Sequence, residues 1–295
     1  MNAKPSACAL GLFDGVHLGH QAVLREAVDC EEEGFIPTVF TFQSDSISVK
    51  QGKQIKYIYT EQQKEKHFSS MGIQQVYSPQ FSELTSMDGE TFCRAILCNT
   101  LNAKKVFCGM DFRFGLNAKW GFDDLKSFGE TMGFSVYSVE PVRIGENIIS
   151  SSAIRNALLN GDVKYAAEML GEPYEIYGTV EHGNALGRTI DFPTINQFFH
   201  DGQLIPKFGV YASFVYTPDG MYKGITNIGK KPTVCDDIKP LAETHIIDFS
   251  GDLYGKVCKV QLLQFIRPEK KFSSVEELKK AIESDLLFFL LKKEK

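Results

Sequence analysis

A chain of 295 residues is long enough for one large domain or two medium ones, and its 43% apolar content can bury a sizeable core without staples. A net charge of −5 with no basic block excludes an extended nucleic-acid footprint. The seven cysteines (Cys8, Cys30, Cys93, Cys98, Cys108, Cys235 and Cys258) have an odd count and no C-x-x-C spacing, which suits reduced thiols in a cytoplasmic protein. No charged region followed by a long apolar stretch opens the chain, and the apolar run Leu286 to Leu291 is far too short to span a bilayer, so neither a signal peptide nor a membrane partner is expected.

The first half alternates strand and helix. Ala7 to Leu12 reads as a buried strand, broken by two glycines and an aspartate; Ala22, Val23, Leu24, Ala27 and Val28 then follow at helical spacing. Ile36 to Phe42 is a second strand, and the polar stretch Gln43 to Gln54 reads as an irregular loop. Thr60 to Ser70 is a charged helix and Gln75 to Tyr77 a short strand. Asp88 to Leu101 is an amphipathic helix with Phe92, Ala95, Ile96 and Leu101 inward. Lys105 to Cys108 is a strand, Phe122 to Met132 a helix and Phe134 to Val139 a strand. This rhythm predicts a parallel sheet with helices on both faces, an α/β Rossmann-like domain whose site lies beyond the carboxyl ends of the strands.

The pattern then changes. Ser152 to Asn160 and Asp162 to Leu170 are two short helices, parted by Gly161 and stopped by Gly171. Strands follow at short spacing: Tyr174 to Glu181, Gly209 to Tyr216, Met221 to Asn227, Glu243 to Phe249 and Lys256 to Phe265, with a hairpin turn at Thr217-Pro218-Asp219-Gly220. They predict a small antiparallel β-barrel, closed by a helix from Ser274 to about Leu291. The expected boundary is near Glu172, giving domains 1–172 and 173–295.

Three segments of the first domain can converge on a nucleotide. Gly11-Leu12-Phe13-Asp14-Gly15-Val16-His17-Leu18-Gly19-His20 is a strand–turn–helix whose helix start offers free N–H groups and a positive dipole end. His17 and His20, three apart, share one face of the first helical turn. Gly109-Met110-Asp111-Phe112-Arg113-Phe114-Gly115 follows another strand directly. Ser150-Ser151-Ser152-Ala153-Ile154-Arg155 opens a helix, where serine hydroxyls suit phosphate and Arg155 can grip it with a planar fork. Taken singly, the serines read as an ordinary N-cap and the Asp111 segment as an aromatic turn; the order of all three favours a phosphate site.

The second domain carries Gly183-Asn184-Ala185-Leu186-Gly187-Arg188-Thr189-Ile190-Asp191-Phe192-Pro193-Thr194-Ile195-Asn196. Its glycines permit close backbone approach to phosphates, and Thr194 and Asn196 alternate onto one strand face, where both oxygens can meet one Mg²⁺. The bland alternative is a polar, glycine-rich hairpin.

These blocks resemble the bacterial bifunctional riboflavin kinase/FAD synthetase family over essentially the whole chain. In the first domain the resemblance implies attack by the FMN phosphate on the α-phosphorus of ATP, with Gly11, Phe13, Asp14, Gly15, His17, His20, Asp111, Phe114, Gly115, Ser151, Ser152 and Arg155 around the nucleotide. His17, His20 and Arg155 would stabilise charge on the transferring phosphorus. In the second it implies riboflavin phosphorylation, with ATP held by Gly183, Leu186, Gly187, Arg188, Pro193, Thr194 and Asn196, and Mg²⁺ on Thr194 and Asn196. Glu243 would be the base, and Glu243 and Arg267 the flavin contacts. Asn227 to Thr233, Glu243 to Phe249, Tyr254-Gly255 and Phe265 to Glu269 also match family stretches. Two departures stand out: Phe42-Gln43-Ser44-Asp45-Ser46 replaces the family's Phe-x-Pro-His-Pro near the flavin, and Asp191 replaces a glycine. A single active half, another acceptor, or a flavin-binding sensor are the rival readings. The implied partners are small molecules only, ATP, riboflavin, FMN and FAD as reactants; oligomeric state stays open.

Overall fold

Successive residues of the first strand point to opposite faces, and all of them are buried: Ala7 and Ala9 on one side, Cys8 and Leu10 on the other. Such a strand needs cover on both faces, which only a sheet with helices above and below supplies. The computed structural model describes residues 4–43, 49–50, 53–182, 192–232 and 238–291. Contacts divide the chain into two units, Met1–Ser151 and Ser152–Lys295.

In the first unit the strands are β1 (Ser6–Leu10), β2 (Ile36–Phe40), β3 (Val49–Lys50), β4 (Lys53–Gln54), β5 (Gln75–Tyr77), β6 (Ala103–Gly109), β7 (Ser135–Val139), β8 (Arg143–Ile144) and β9 (Asn147–Ile148). Five of them form an all-parallel sheet in the order β5-β2-β1-β6-β7. The helices are α1 (Leu18–Asp29), α2 (Glu61–Ser70), α3 (Phe81–Leu84), α4 (Gly89–Phe92) and α5 (Phe122–Met132). Ala7, Ala9 and Val39 pack with Leu24, Ala27 and Phe68 on one face. Cys8, Leu10, Phe40, Val106 and Cys108 pack with Phe92, Leu97 and Leu125 on the other.

Two expectations are corrected in detail. The helix expected over Asp88 to Leu101 starts as α4, capped by Asp88, whose carboxylate accepts from the Thr91 N–H at 2.7 Å, but continues from Cys93 to Thr100 as a π-helix. The wider π turn buries Cys93, Ile96, Leu97 and Leu101 and leaves Ala95 only half-buried. The stretch expected to be irregular holds a two-residue pairing, β3 against β4; residues 44–48, and with them Ser44 to Ser46, lie outside the described residues.

In the second unit come α6 (Ser151–Asn160) and α7 (Val163–Leu170), then β10 (Glu175–Thr179), β11 (Thr194–Phe198), β12 (Gly209–Thr217), β13 (Gly220–Pro232), β14 (Ile238–Ile246), β15 (Val257–Arg267) and α8 (Val275–Leu291). The contact division therefore falls one helical pair earlier than the composition suggests. The Lys207 N–H donates to the Leu158 carbonyl at 3.0 Å, tying α6 to the barrel unit. The six strands are antiparallel in the order β10-β15-β12-β13-β14-β11. A bridge from Glu181 to Asn196 joins the two ends of that order. Buried Gln197 strengthens the closure, its amide Nε2 donating to the Gly178 and Cys258 carbonyls, both at 2.9 Å.

Candidate functional sites

The first site is the turn at the carboxyl end of β1. The strand lies at the sheet's switch point, with β2 on one side and β6 on the other; crevices form there because successive connections leave in opposite directions. The turn is unusual. Phe13, Gly15 and Val16 all have positive φ, at 49°, 80° and 39°. For a β-branched valine that is a strained conformation. Packing holds it, since Phe13 and Val16 are 1% and 2% exposed. Glycine is required at Gly15, where a Cβ would also come within 3.0 Å of Ile58.

His17 caps α1. Its backbone is extended and its Nδ1 accepts from the His20 N–H at 3.2 Å. A neutral ring that accepts at Nδ1 carries its proton on Nε2, leaving that edge as a donor. The His17 and His20 rings stack at 3.5 Å, and a Cβ on Gly19 would stand 3.2 Å from the His17 ring. Asp14 turns its carboxylate to the chain, accepting from the N–H groups of Ile58 (2.8 Å) and Tyr59 (3.4 Å). The Ser151 hydroxyl donates to the Asp14 carbonyl at 2.9 Å. So Gly11, Phe13, Asp14, Gly15, His17, His20 and Ser151 belong to one neighbourhood. Asp111, Phe114 and Gly115 follow β6, next to β1 in the sheet. Phe114 is buried and paired with Trp120, whose ring fills the space above Gly115. Asp111 is exposed and folds its carboxylate over Gly109. Ser152 and Arg155 lie in the opening turns of α6, in the second unit.

The second site is assembled by register rather than by a turn. Asn196 on β11 faces Glu243 on β14, and Glu243 faces Asn227 on β13. Asn227 in turn faces Val210 on β12, which faces Arg267 on β15. Directly opposed residues of antiparallel strands share a sheet face, so these five form one row across the barrel. Asn196 is 5% exposed; Glu243, Asn227 and Arg267 are half-buried. Asn227 donates to the Glu269 carboxylate at 3.4 Å. The Arg267 guanidinium is bound to buried Asp285 of α8, with Nη2 at 2.8 Å and Nε at 3.0 and 3.1 Å.

A cavity of about 230 Å³ opens beside the start of β11, lined by Pro193, Thr194, Ile246, Phe249, Leu253 and Tyr254 among others. His182 stacks on Tyr254 at 3.8 Å. Gly183, Leu186, Gly187, Arg188 and Asp191 lie outside the described residues. Thr194 and Asn196 offer a hydroxyl and an amide oxygen, hard donors of the kind Mg²⁺ takes. That donor chemistry fits such an ion. No cluster of three His, Cys, Asp or Glu side chains suited to a metal occurs among the described residues.

The family model for FAD synthetase matches residues 1–153 and that for riboflavin kinase residues 170–289. The chain belongs to the bifunctional riboflavin kinase/FMN adenylyltransferase family. A member from Haemophilus influenzae is 37% identical, over 97% of this chain and 94% of its own. One from Bacillus subtilis is 36% identical, over 95% and 90%. A solved structure from Streptococcus pneumoniae, described as a macrolide-efflux protein, matches with a TM-score of 0.84 at 32% identity, over 97% of this chain and 94% of that one. In this chain no helix among the described residues is long and apolar enough to cross a membrane. Both halves of the family are thus present in this chain.

Sequence reasoning missed three side chains that shape these sites. Lys64 is fully buried in a helix read only as charged. Gln197 closes the barrel, and Trp120 fixes the Phe114–Gly115 turn. Only Trp120, the chain's single tryptophan, gave any signal in the sequence.

Proposed function

We propose that this chain makes FMN from riboflavin and ATP on its second unit, then FAD from FMN and ATP on its first, releasing pyrophosphate. Two unlike oxyanion sites in one chain carry this reading: a histidine-capped helix start at a parallel switch point, and a carboxylate flanked by amides across antiparallel strands. In the kinase step Glu243 takes the proton from the ribityl 5′-hydroxyl as that oxygen attacks the γ-phosphorus, and the bond to the β,γ-bridging oxygen breaks to release ADP. Thr194 and Asn196 would hold Mg²⁺, which neutralises phosphate charge when bound. Pro193 and the glycine-rich block Gly183, Leu186, Gly187 and Arg188 are assigned to the phosphates of ATP. Glu243 and Arg267 are assigned to the flavin, with Asp285 holding the guanidinium in place.

In the adenylylation step the acceptor is the FMN phosphate, and no covalent enzyme intermediate is needed. His17, His20 and Arg155 stabilise charge on the transferring phosphorus. His17 suits the task because capping fixes its ring at the helix start. The same reading places the functional boundary near Glu172 and the protein in the cytoplasm, where its nucleotide and flavin substrates are held.

Incubation with riboflavin, ATP and Mg²⁺, followed by chromatography of the flavins over time, tests it. The expected result is FMN followed by FAD, with both lost when Mg²⁺ is withheld. FMN alone would leave the first unit with another acceptor, and bound riboflavin without product would favour a sensor.

A further inference from the structure

Lys64 is one of the largest side chains with no exposure at all. It lies in the first turn of α2, behind a capping box made by Thr60 and Gln63. Its ammonium has three neighbours. It donates to the Phe42 carbonyl at 2.9 Å, to the Glu61 carboxylate at 3.2 Å and to the Thr41 hydroxyl at 3.4 Å. Burial lowers its proton affinity, and Glu61 opposes that shift. A methionine of similar reach would fill the space without the desolvation cost of a buried cation. What the ammonium adds is direction: its donors tie the Thr41–Phe42 stretch to Glu61 of its own helix.

Those segments matter. The Thr41 hydroxyl donates onward to the Leu12 carbonyl at 2.9 Å, inside the nucleotide turn. Phe42 leaves the carboxyl end of β2, and the following Gln43 N–H donates to the Pro79 carbonyl at 3.2 Å. Glu61 also accepts from the Ser78 hydroxyl at 2.9 Å, beyond the end of β5. One buried cation therefore joins the exits of three neighbouring parallel strands, β1 through Thr41, β2 directly and β5 through Glu61. Ligands of such sheets sit beyond those exits. The exit of β1 carries the nucleotide turn, so the adjacent exit of β2 is where a second reactant can meet it.

We infer that Lys64 is a positioning residue for adenylyl transfer, setting the spacing between the nucleotide turn and the Thr41–Gln43 segment that borders the acceptor. This rests on reading the first unit as the FMN adenylyltransferase. Lys64 touches no reactant, since its donors are taken by the protein. Its effect is on alignment, where a misplacement of about 1 Å can cost roughly a hundredfold.

The test uses the full chain with Lys64→Met. The expected result is a rise of about tenfold or more in KM for FMN together with a lower adenylylation kcat, on the scale of lost alignment. The riboflavin kinase constants of the same molecules should stay within about twofold, since that site lies on the other unit's strands. Lys64→Arg should recover part of the loss. A folded Lys64→Met protein with wild-type KM and kcat for FMN overturns the inference, as does an equal loss in both activities. Should Lys64→Met not fold, Glu61→Gln decides. It removes the counter-charge but keeps an acceptor; a selective rise in KM for FMN supports the role, and unchanged constants end it. Wild-type protein that makes FMN but no FAD would instead defeat the reading on which the inference rests, a different and separately visible outcome.

Discussion

On the proposed function, the two units gather groups around a phosphate with opposite sheet geometries. In the parallel sheet of the first unit, the strands deliver their chain ends to one edge, and the site is made of turns. Its central piece is ten consecutive residues, Gly11 to His20, fixed by a strained, buried turn and a histidine cap. In the antiparallel sheet of the second unit, the site is a row across strands, and Asn196, Glu243 and Asn227 meet because their registers align. A turn-built site is contiguous in sequence and tolerates changes elsewhere in the sheet. A register-built site is scattered in sequence and depends on each pairing, since a one-residue slip turns a side chain to the other face.

The comparison implies that each site can be disabled alone. The largest effect is expected from Glu243→Ala. Loss of a general base typically costs about 10²- to 10⁴-fold, and this loss should appear in FMN formation alone. FAD formation from supplied FMN should continue at its former rate. A folded Glu243→Ala protein that lost both activities would mean the two sites are one system, and the contrast drawn above would fail.

The reverse experiment removes His17. An alanine there takes away a group assigned to the transferring adenylyl phosphorus, a loss of about 10²- to 10³-fold in FAD formation. It also takes away the cap of α1, worth roughly 1 kcal/mol, so a modest fall in the first unit's melting temperature should accompany it. Replacing His20 instead leaves the capping ring in place. His20→Ala should therefore lower FAD formation with a smaller loss of stability. Equal stability losses in the two variants would show that capping is not what distinguishes them.

How far each site was legible follows from the same contrast. The β1 turn could be read directly, because glycine, aspartate and histidine after an apolar run name a strand exit and a helix start at once. Its cap could not, because histidine is not among the usual capping residues. In the barrel, Thr194 and Asn196 announced their common face by alternation, but nothing in the chain says that Glu243 opposes Asn196 rather than its neighbour. That needs the register. The Asp88–Leu101 helix was legible as apolar on one side, yet that pattern does not tell its π turn from an α turn. Lys64 was hidden for a simpler reason: Glu61, Gln62, Gln63, Lys64, Glu65 and Lys66 read as solvated. Only the sheet exits around it make burial tolerable.

The smallest effect concerns stability at high pH, and it sharpens the contrast between the units. Cys8, Cys93 and Cys108 sit unexposed in the first unit's core. Burial pushes Cys93 and Cys108 up to about 12 from an ordinary 9.0, and raises Cys8 as well. A raised thiol keeps its proton in the folded state after the unfolded chain has lost it. Its contribution to stability is full below pH 9 and declines from there to about 12, by roughly 1.4 kcal/mol per pH unit for each thiol. Lys64 works the other way, its lowered affinity adding stability as pH rises toward 10.5, but it is one group against five, since burial raises Cys30 and Cys98 too. Cys258 in the second unit is raised too, yet there it stands alone among the described thiols. Calorimetry from about pH 8 to 11 should therefore show the first unit's transition falling ahead of the second's, with FAD formation lost before FMN formation. Cys93→Ala combined with Cys108→Ala should flatten that slope. Two transitions that fall together, or a slope untouched by the double substitution, would mean that the buried thiols do not set the first unit's alkaline limit.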